Sequence, residues 1–114
     1  MKTYKDLLIW QKSIELVKAI YLFTDRLSPE ENFGLKPQMR RAAVSIPSNI
    51  AEGYHRGSRK EWHQFLIVAY SSAAELETQM IICEKIYNFT DPKVTDLITQ
   101  VIRLLNVTIQ KSKQ

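Results

Sequence analysis

Few side chains in this 114-residue chain could do covalent or metal chemistry, and each has a structural reading beside it. The histidines are His55 and His63. Glu52-Gly53-Tyr54-His55 has the Glu-x-x-His spacing of di-iron bundles, which need that motif on two helices plus two further carboxylates. No second Glu-x-x-His occurs, and Gly53 with the turn behind it weakens the helix that would present the first. No metal or other cofactor is therefore expected. Cys83 ends the apolar run Met80-Ile81-Ile82-Cys83, where a thiol serves as a small core residue. As the sole cysteine it can form no intramolecular disulfide, which fits a reducing compartment. Neither a Gly-x-Ser-x-Gly elbow nor a phosphate-binding glycine loop is present. The expectation is a protein that is not an enzyme.

Charge is the more informative feature. The net charge is +4, but it is uneven. Residues 35–60 hold Lys36, Arg40, Arg41, Arg56, Arg59 and Lys60 against Glu52 alone, a balance of +5. Residues 61–90 hold Lys85 against Glu61, Glu75, Glu77 and Glu84, a balance of −3. A local basic patch points to an anionic partner better than a diffuse excess does. Lys36, Arg40 and Arg41 fall on a second helix; His55, Arg56, Arg59, Lys60 and His63 surround the turn to a third. The free N–H groups at the start of that third helix suit a phosphate. Tyr54 and Trp62 are near enough to stack on a base, although Trp62 reads first as a core anchor. Arg41, Asn49, Glu52 and Glu75 read as a polar network between the second and third helices.

Four helices must position these groups. The first, residues 7–27, has two apolar ridges: Leu7, Trp10, Ile14, Val17 and Tyr21, and Ile9, Leu16, Ile20, Phe23 and Leu27. That face is broader than one bundle seam needs and suggests self-association. Ser28-Pro29-Glu30-Glu31 has the form of a capping box that starts only a short turn. The second helix, residues 35–54, has core candidates Leu35, Met39, Ala42, Ile46 and Ile50. Pro47 inside it predicts a kink, with Ser45, Ser48 and Asn49 beside it to satisfy freed carbonyls. Gly53 and Gly57 bracket the turn, and Ser58-Arg59-Lys60-Glu61 forms a second capping box. The third helix, residues 59–87, carries a heptad seam of Trp62, Leu66, Ala69, Ala73, Leu76, Met80, Cys83 and Tyr87. Asp91 caps the fourth and Pro92 takes its first position. Short connections between long helices predict an all-α, up-down antiparallel four-helix bundle in one domain, residues 1–114. The start of the chain lacks the apolar stretch of a signal peptide, and no run reaches the length of a membrane span, so no membrane association and a cytoplasmic location are expected.

The segment Gln38-Met39-Arg40-Arg41-Ala42-Ala43-Val44-Ser45-Ile46-Pro47-Ser48-Asn49-Ile50-Ala51-Glu52-Gly53 strongly resembles the signature of the family that includes the 23S rRNA intervening-sequence proteins. Asp6-Leu7-Leu8-Ile9-Trp10-Gln11-Lys12 and Ala73-Ala74-Glu75-Leu76-Glu77-Thr78-Gln79 match it as well, so the resemblance covers residues 4–87. It implies a four-helix bundle assembled into a ring-like homo-oligomer, a pentamer. The family is also similar to the accessory variability determinant protein of diversity-generating retroelements, a basic pentameric barrel that binds nucleic acid and a reverse transcriptase. No enzymatic activity is attached to the family.

Patch and resemblance together lead to one expectation: a non-catalytic oligomeric scaffold that binds RNA, or DNA, through Lys36, Arg40, Arg41, His55, Arg56, Arg59, Lys60 and His63. The alternative is a protein–protein interaction module that recruits another protein without nucleic acid. The spare apolar ridges carry a prediction of their own. Light scattering at micromolar concentration is expected to give a mass of more than one subunit, and a monomeric mass would refute self-association.

Overall fold

The computed structural model describes residues 3–113. Four helices, α1 (Leu8–Asp25), α2 (Leu35–Arg56), α3 (Arg59–Tyr87) and α4 (Pro92–Ser112), follow one another with short connections, and 3₁₀ turns at Tyr4–Asp6 and Pro29–Glu31 precede α1 and α2. Each helix packs on its chain neighbours and α1 closes against α4, while the diagonal pairs barely touch. This is the expected up-down bundle, 43 Å long and 21 by 20 Å across. No strand occurs among the described residues.

The second apolar ridge of α1 is the one that enters the core. Ile9, Leu16, Ile20 and Phe23 are buried there, whereas Ile14 and Tyr21 of the first ridge remain about 40% exposed. Ser13 and Thr24 share the buried face because each hydroxyl donates to a carbonyl of its own helix, Trp10 O at 2.8 Å and Ile20 O at 2.7 Å. The α3 seam is buried from Leu66 to Cys83, with Trp62 and Tyr87 half-buried at its ends. Burial pushes the Cys83 thiol up, away from the reactive thiolate.

One feature of α2 differs from the sequence reading. The helix does not end at residue 54. Gly53 lies buried inside it, and the chain leaves the helix only at Gly57, whose φ of 76° is the left-handed C-terminal turn that glycine permits. Gly53 is needed for closeness: a Cβ there would stand 2.6 Å from Cβ of Phe65 and 3.1 Å from Cε3 of Trp62. The helix runs on through Pro47, which is buried. Proline leaves the Ala43 carbonyl without its usual donor. Asn49 satisfies a different group, donating from Nδ2 to Ser45 O at 2.8 Å and to Ser45 Oγ at 2.9 Å.

The far end of the bundle is tied by Glu31. Ser28 accepts from the Glu30 N–H to hold the short 3₁₀ turn, but Glu31 does not close a box with it. Its Oε1 instead accepts the Leu35 N–H at 3.0 Å and caps α2, and its Oε2 accepts the Tyr87 hydroxyl of α3. Gly34 leaves room for this carboxylate, since a Cβ there would meet Oε1 at 2.6 Å. The Leu35 amide, then the Tyr87 hydroxyl, hold the Glu31 carboxyl below its usual range. The same bond pushes Tyr87 up to about 12. The raised tyrosine contributes stability in full below its ordinary pKa of about 10, lost as pH climbs through the folded value. The lowered glutamate contributes above about pH 4.3, and this is lost as pH falls through its folded value. In a titration of tyrosinate absorbance, one of the five tyrosines is expected to ionise late, near pH 12. Glu31→Gln should return it towards 10, and an unchanged titration in that variant would remove the bond from this account.

Candidate nucleic-acid interface

The basic residues read from the sequence do not form one patch. Lys36 and Arg56 sit at opposite ends of α2, about 30 Å apart at about 1.5 Å per residue. Arg40 is spent on structure at the far end. Its guanidinium donates to Thr24 Oγ1 at 2.9 Å, to the Tyr21 carbonyl at 3.2 Å and to Asp25 at 2.7 Å, and lies over the Tyr21 ring at 4.3 Å. Lys36 pairs with the same Asp25 at 3.4 Å. Arg40 first and Lys36 second hold the Asp25 carboxyl below its usual range. These two cations therefore fasten α2 to the end of α1.

At the other end Arg56 is also neutralised. It pairs with Glu52 at 2.8 Å and Glu61 at 3.5 Å, and its guanidinium lies over the Phe65 ring. The Ser58 hydroxyl accepts the Glu61 N–H at 3.1 Å, but Glu61 turns its carboxylate to Arg56, so Ser58 caps α3 without closing the reciprocal box. His55 belongs to the last turn of α2, edge-on to Tyr4 with ring centroids 5.3 Å apart.

Unspent charge gathers around the first turn of α3. Three adjoining clefts share Arg59. The first, about 310 Å³, is lined by Gly53, Tyr54, Gly57, Ser58 and Trp62. The second, about 440 Å³, is lined by Lys60, His63, Ser112 and Lys113; the third, about 460 Å³, by Leu7, Trp62, Thr108, Lys111 and Ser112. Arg59, Lys60, Lys111 and Lys113 make no ion pair among the described residues. Trp62 packs one side against the core and lends the rest to two clefts.

His63 is held by α4. Ser112 Oγ lies 2.6 Å from the Ile109 carbonyl and 2.6 Å from His63 Nδ1. A carbonyl can only accept, so the serine hydrogen goes there and the Nδ1–H of His63 donates to the hydroxyl. Nε2 is then the ring nitrogen left for a ligand. Lys111 and Lys113 were legible only as charges suited to a helix C-terminus. The antiparallel pairing of α3 with α4 is the signal that places them beside residue 59.

The residues read as one polar network separate into pieces. Asn49 binds Ser45, whose hydroxyl meets Ser72 Oγ at 2.8 Å across the α2–α3 contact. Glu52 faces solvent with Arg56, because it lies one turn from the end of α2 where the two helices leave it uncovered. Glu75 accepts from Gln79 Nε2 at 3.4 Å. Arg41 is exposed and shares a cleft with Glu75, but the two form no ion pair. Among the described residues no three His, Cys, Asp or Glu side chains converge as metal ligands would, and no helix is long and apolar enough to cross a membrane.

Arg40 separates the structural cations from the unspent ones. Arg40→Met is expected to lower stability in urea unfolding by about 1.5–3 kcal/mol, the usual worth of charge-assisted hydrogen bonds, and to leave nucleic-acid affinity unchanged. Loss of affinity in a folded variant would return Arg40 to the interface.

Comparison with known proteins follows the same lines. None of the curated proteins matches the chain. A family model described as 23S rRNA-intervening sequence protein matches residues 5–110, which takes in all of α1, α2 and α3 and nearly all of α4. By that match, and with the four-helix architecture it accompanies, the chain belongs to the 23S rRNA-intervening sequence protein family.

Proposed function

We propose that this protein is a non-catalytic, oligomeric scaffold that binds nucleic acid, RNA foremost, at the end of the bundle where α3 begins and α4 ends. The observation that carries the reading is the convergence of three clefts on Arg59, with four cations from two helices that no carboxylate of the described residues neutralises. Phosphate contacts need such unspent donors, because a cation already paired gains little from a second anion. The free N–H groups at the start of α3 add to the same field. The half-buried Trp62 lines two of these clefts beside the cations. The family name, which refers to sequences that intervene in 23S rRNA, also supports RNA as the polymer.

Self-assembly belongs to the same proposal. Trp10, Ile14, Val17, Val44 and Pro47 line an outward cleft of about 300 Å³ between α1 and α2, and Val44 and Ile14 are each about 40% exposed. A second copy of the chain is the occupant that this reading assigns to that face, in a ring of five subunits.

Fluorescence anisotropy with a structured RNA hairpin and a matched DNA duplex tests the interface. Saturable binding is expected, weakening linearly on a log–log salt plot. Arg59→Glu with Lys60→Glu and Lys113→Glu should weaken it about tenfold or more, since each reversal replaces an attraction with a repulsion at the phosphates. Lys93→Glu, at the start of α4 and so at the opposite end, should change it little. Absence of binding at low salt would overturn the nucleic-acid reading. A partner protein that survives nuclease treatment would then favour a recruiting module.

A further inference from the structure

We propose that the cleft between α2 and α3 is a guanine-recognition pocket. The inference rests on the nucleic-acid reading above and adds to it the identity of a base. The cleft has a volume of about 350 Å³ and is lined by Gln38, Arg41, Ala42, Ser45, Ser72 and Glu75. That lies within the range of small-molecule sites, roughly 300–1,000 Å³. Arg41 comes from α2 and Glu75 from α3, and the two opposite charges line one space without pairing. The carboxylate of Glu75 is steadied by Gln79 Nε2. Gln79 itself is buried behind the cleft and is not part of its lining. Between the lips, Ser45 Oγ and Ser72 Oγ are fixed to each other at 2.8 Å and Asn49 braces Ser45.

The donor and acceptor inventory selects the ligand. Arg41 can only donate, and the Glu75 carboxylate can only accept. A phosphate would satisfy Arg41 and be repelled by Glu75. A simple cation would do the reverse. The occupant must therefore offer acceptors on one edge and donors on the next. Guanine does so: O6 and N7 suit the arginine fork, and the adjacent N1–H and N2–H₂ suit a carboxylate. Adenine places an amino donor where guanine has O6, which would face the guanidinium. Sequence-specific RNA recognition draws on unstacked bases in single strands, and such a base can enter a cleft between helices.

Isothermal titration calorimetry of the full chain with guanosine, adenosine and uridine tests the pocket without any phosphate. Guanosine is expected to bind, and the other two about tenfold more weakly or worse. Anisotropy with a uridine-rich RNA should improve when one guanosine replaces a uridine. Arg41→Met and Glu75→Gln should each abolish both preferences, with circular dichroism unchanged. Equal binding of the three nucleosides, no binding of guanosine, or a preference retained in Glu75→Gln would overturn the proposal. Salt-dependent RNA binding without a guanosine preference would remove the pocket and leave the basic end standing. Guanosine binding without salt-dependent RNA binding would do the opposite.

Discussion

The distance between α2 and α3 is the constraint on which the rest of the molecule depends. Gly53 lets the two backbones come together where any other residue would place a Cβ against Phe65 and Trp62. Four residues later, Gly57 adopts the left-handed conformation and Ser58 caps α3, so the chain reverses with no intervening loop. Closeness at one end and a tight reversal beside it leave α3 little choice but to run antiparallel along α2. Ser45 then reaches Ser72, Met39 reaches Cys83, and Arg41 and Glu75 face a common space. The same reversal brings the first turn of α3 to the edge of the bundle, where α4 delivers Lys111 and Lys113.

The fold was legible because its signals are redundant. The heptad seam of α3, the Asp91-Pro92 start of α4 and the short connections all point to the same bundle, and none depends on a single side chain. The choice between the two ridges of α1 was not legible. Both have helical spacing, and the buried one carries Ser13 and Thr24, which a polarity pattern places outside. Only the hydroxyl bonds to their own helix make that burial tolerable. Gly53 read as a turn residue because glycine breaks helices more often than it marks a close approach. Glu31 read as half of a local box, because its bond to Tyr87 spans 56 positions of sequence.

The candidate site was legible as a charge excess and not as a surface. A cation's availability depends on its neighbours in space, and these come from other helices. Asp25 takes Arg40 and Lys36; Glu52 and Glu61 take Arg56. Arg59 and Lys60 keep their charge because the acids nearest them in the chain, Glu52 and Glu61, are taken by Arg56. The arginine that lines the polar cleft was read as a strut of a network. It faces a glutamate without touching it, which composition and spacing do not express.

Among the described residues, four unpaired cations cluster at one end of the bundle, while at the other Arg40 and Lys36 are tied to Asp25 and Arg26 to Asp91, and this imbalance gives the subunit a direction. Protomers of a cyclic assembly are related by rotation about one axis, so bundles that stand along that axis all point the same way. A ring of bundles standing this way would have two unlike faces, one richer in unpaired arginine and lysine than the other. Polyanions would meet such a ring from one side only, as a thread meets the eye of a needle with a front and a back. The quiet face would keep the exposed Phe33 and Leu22 free of that traffic.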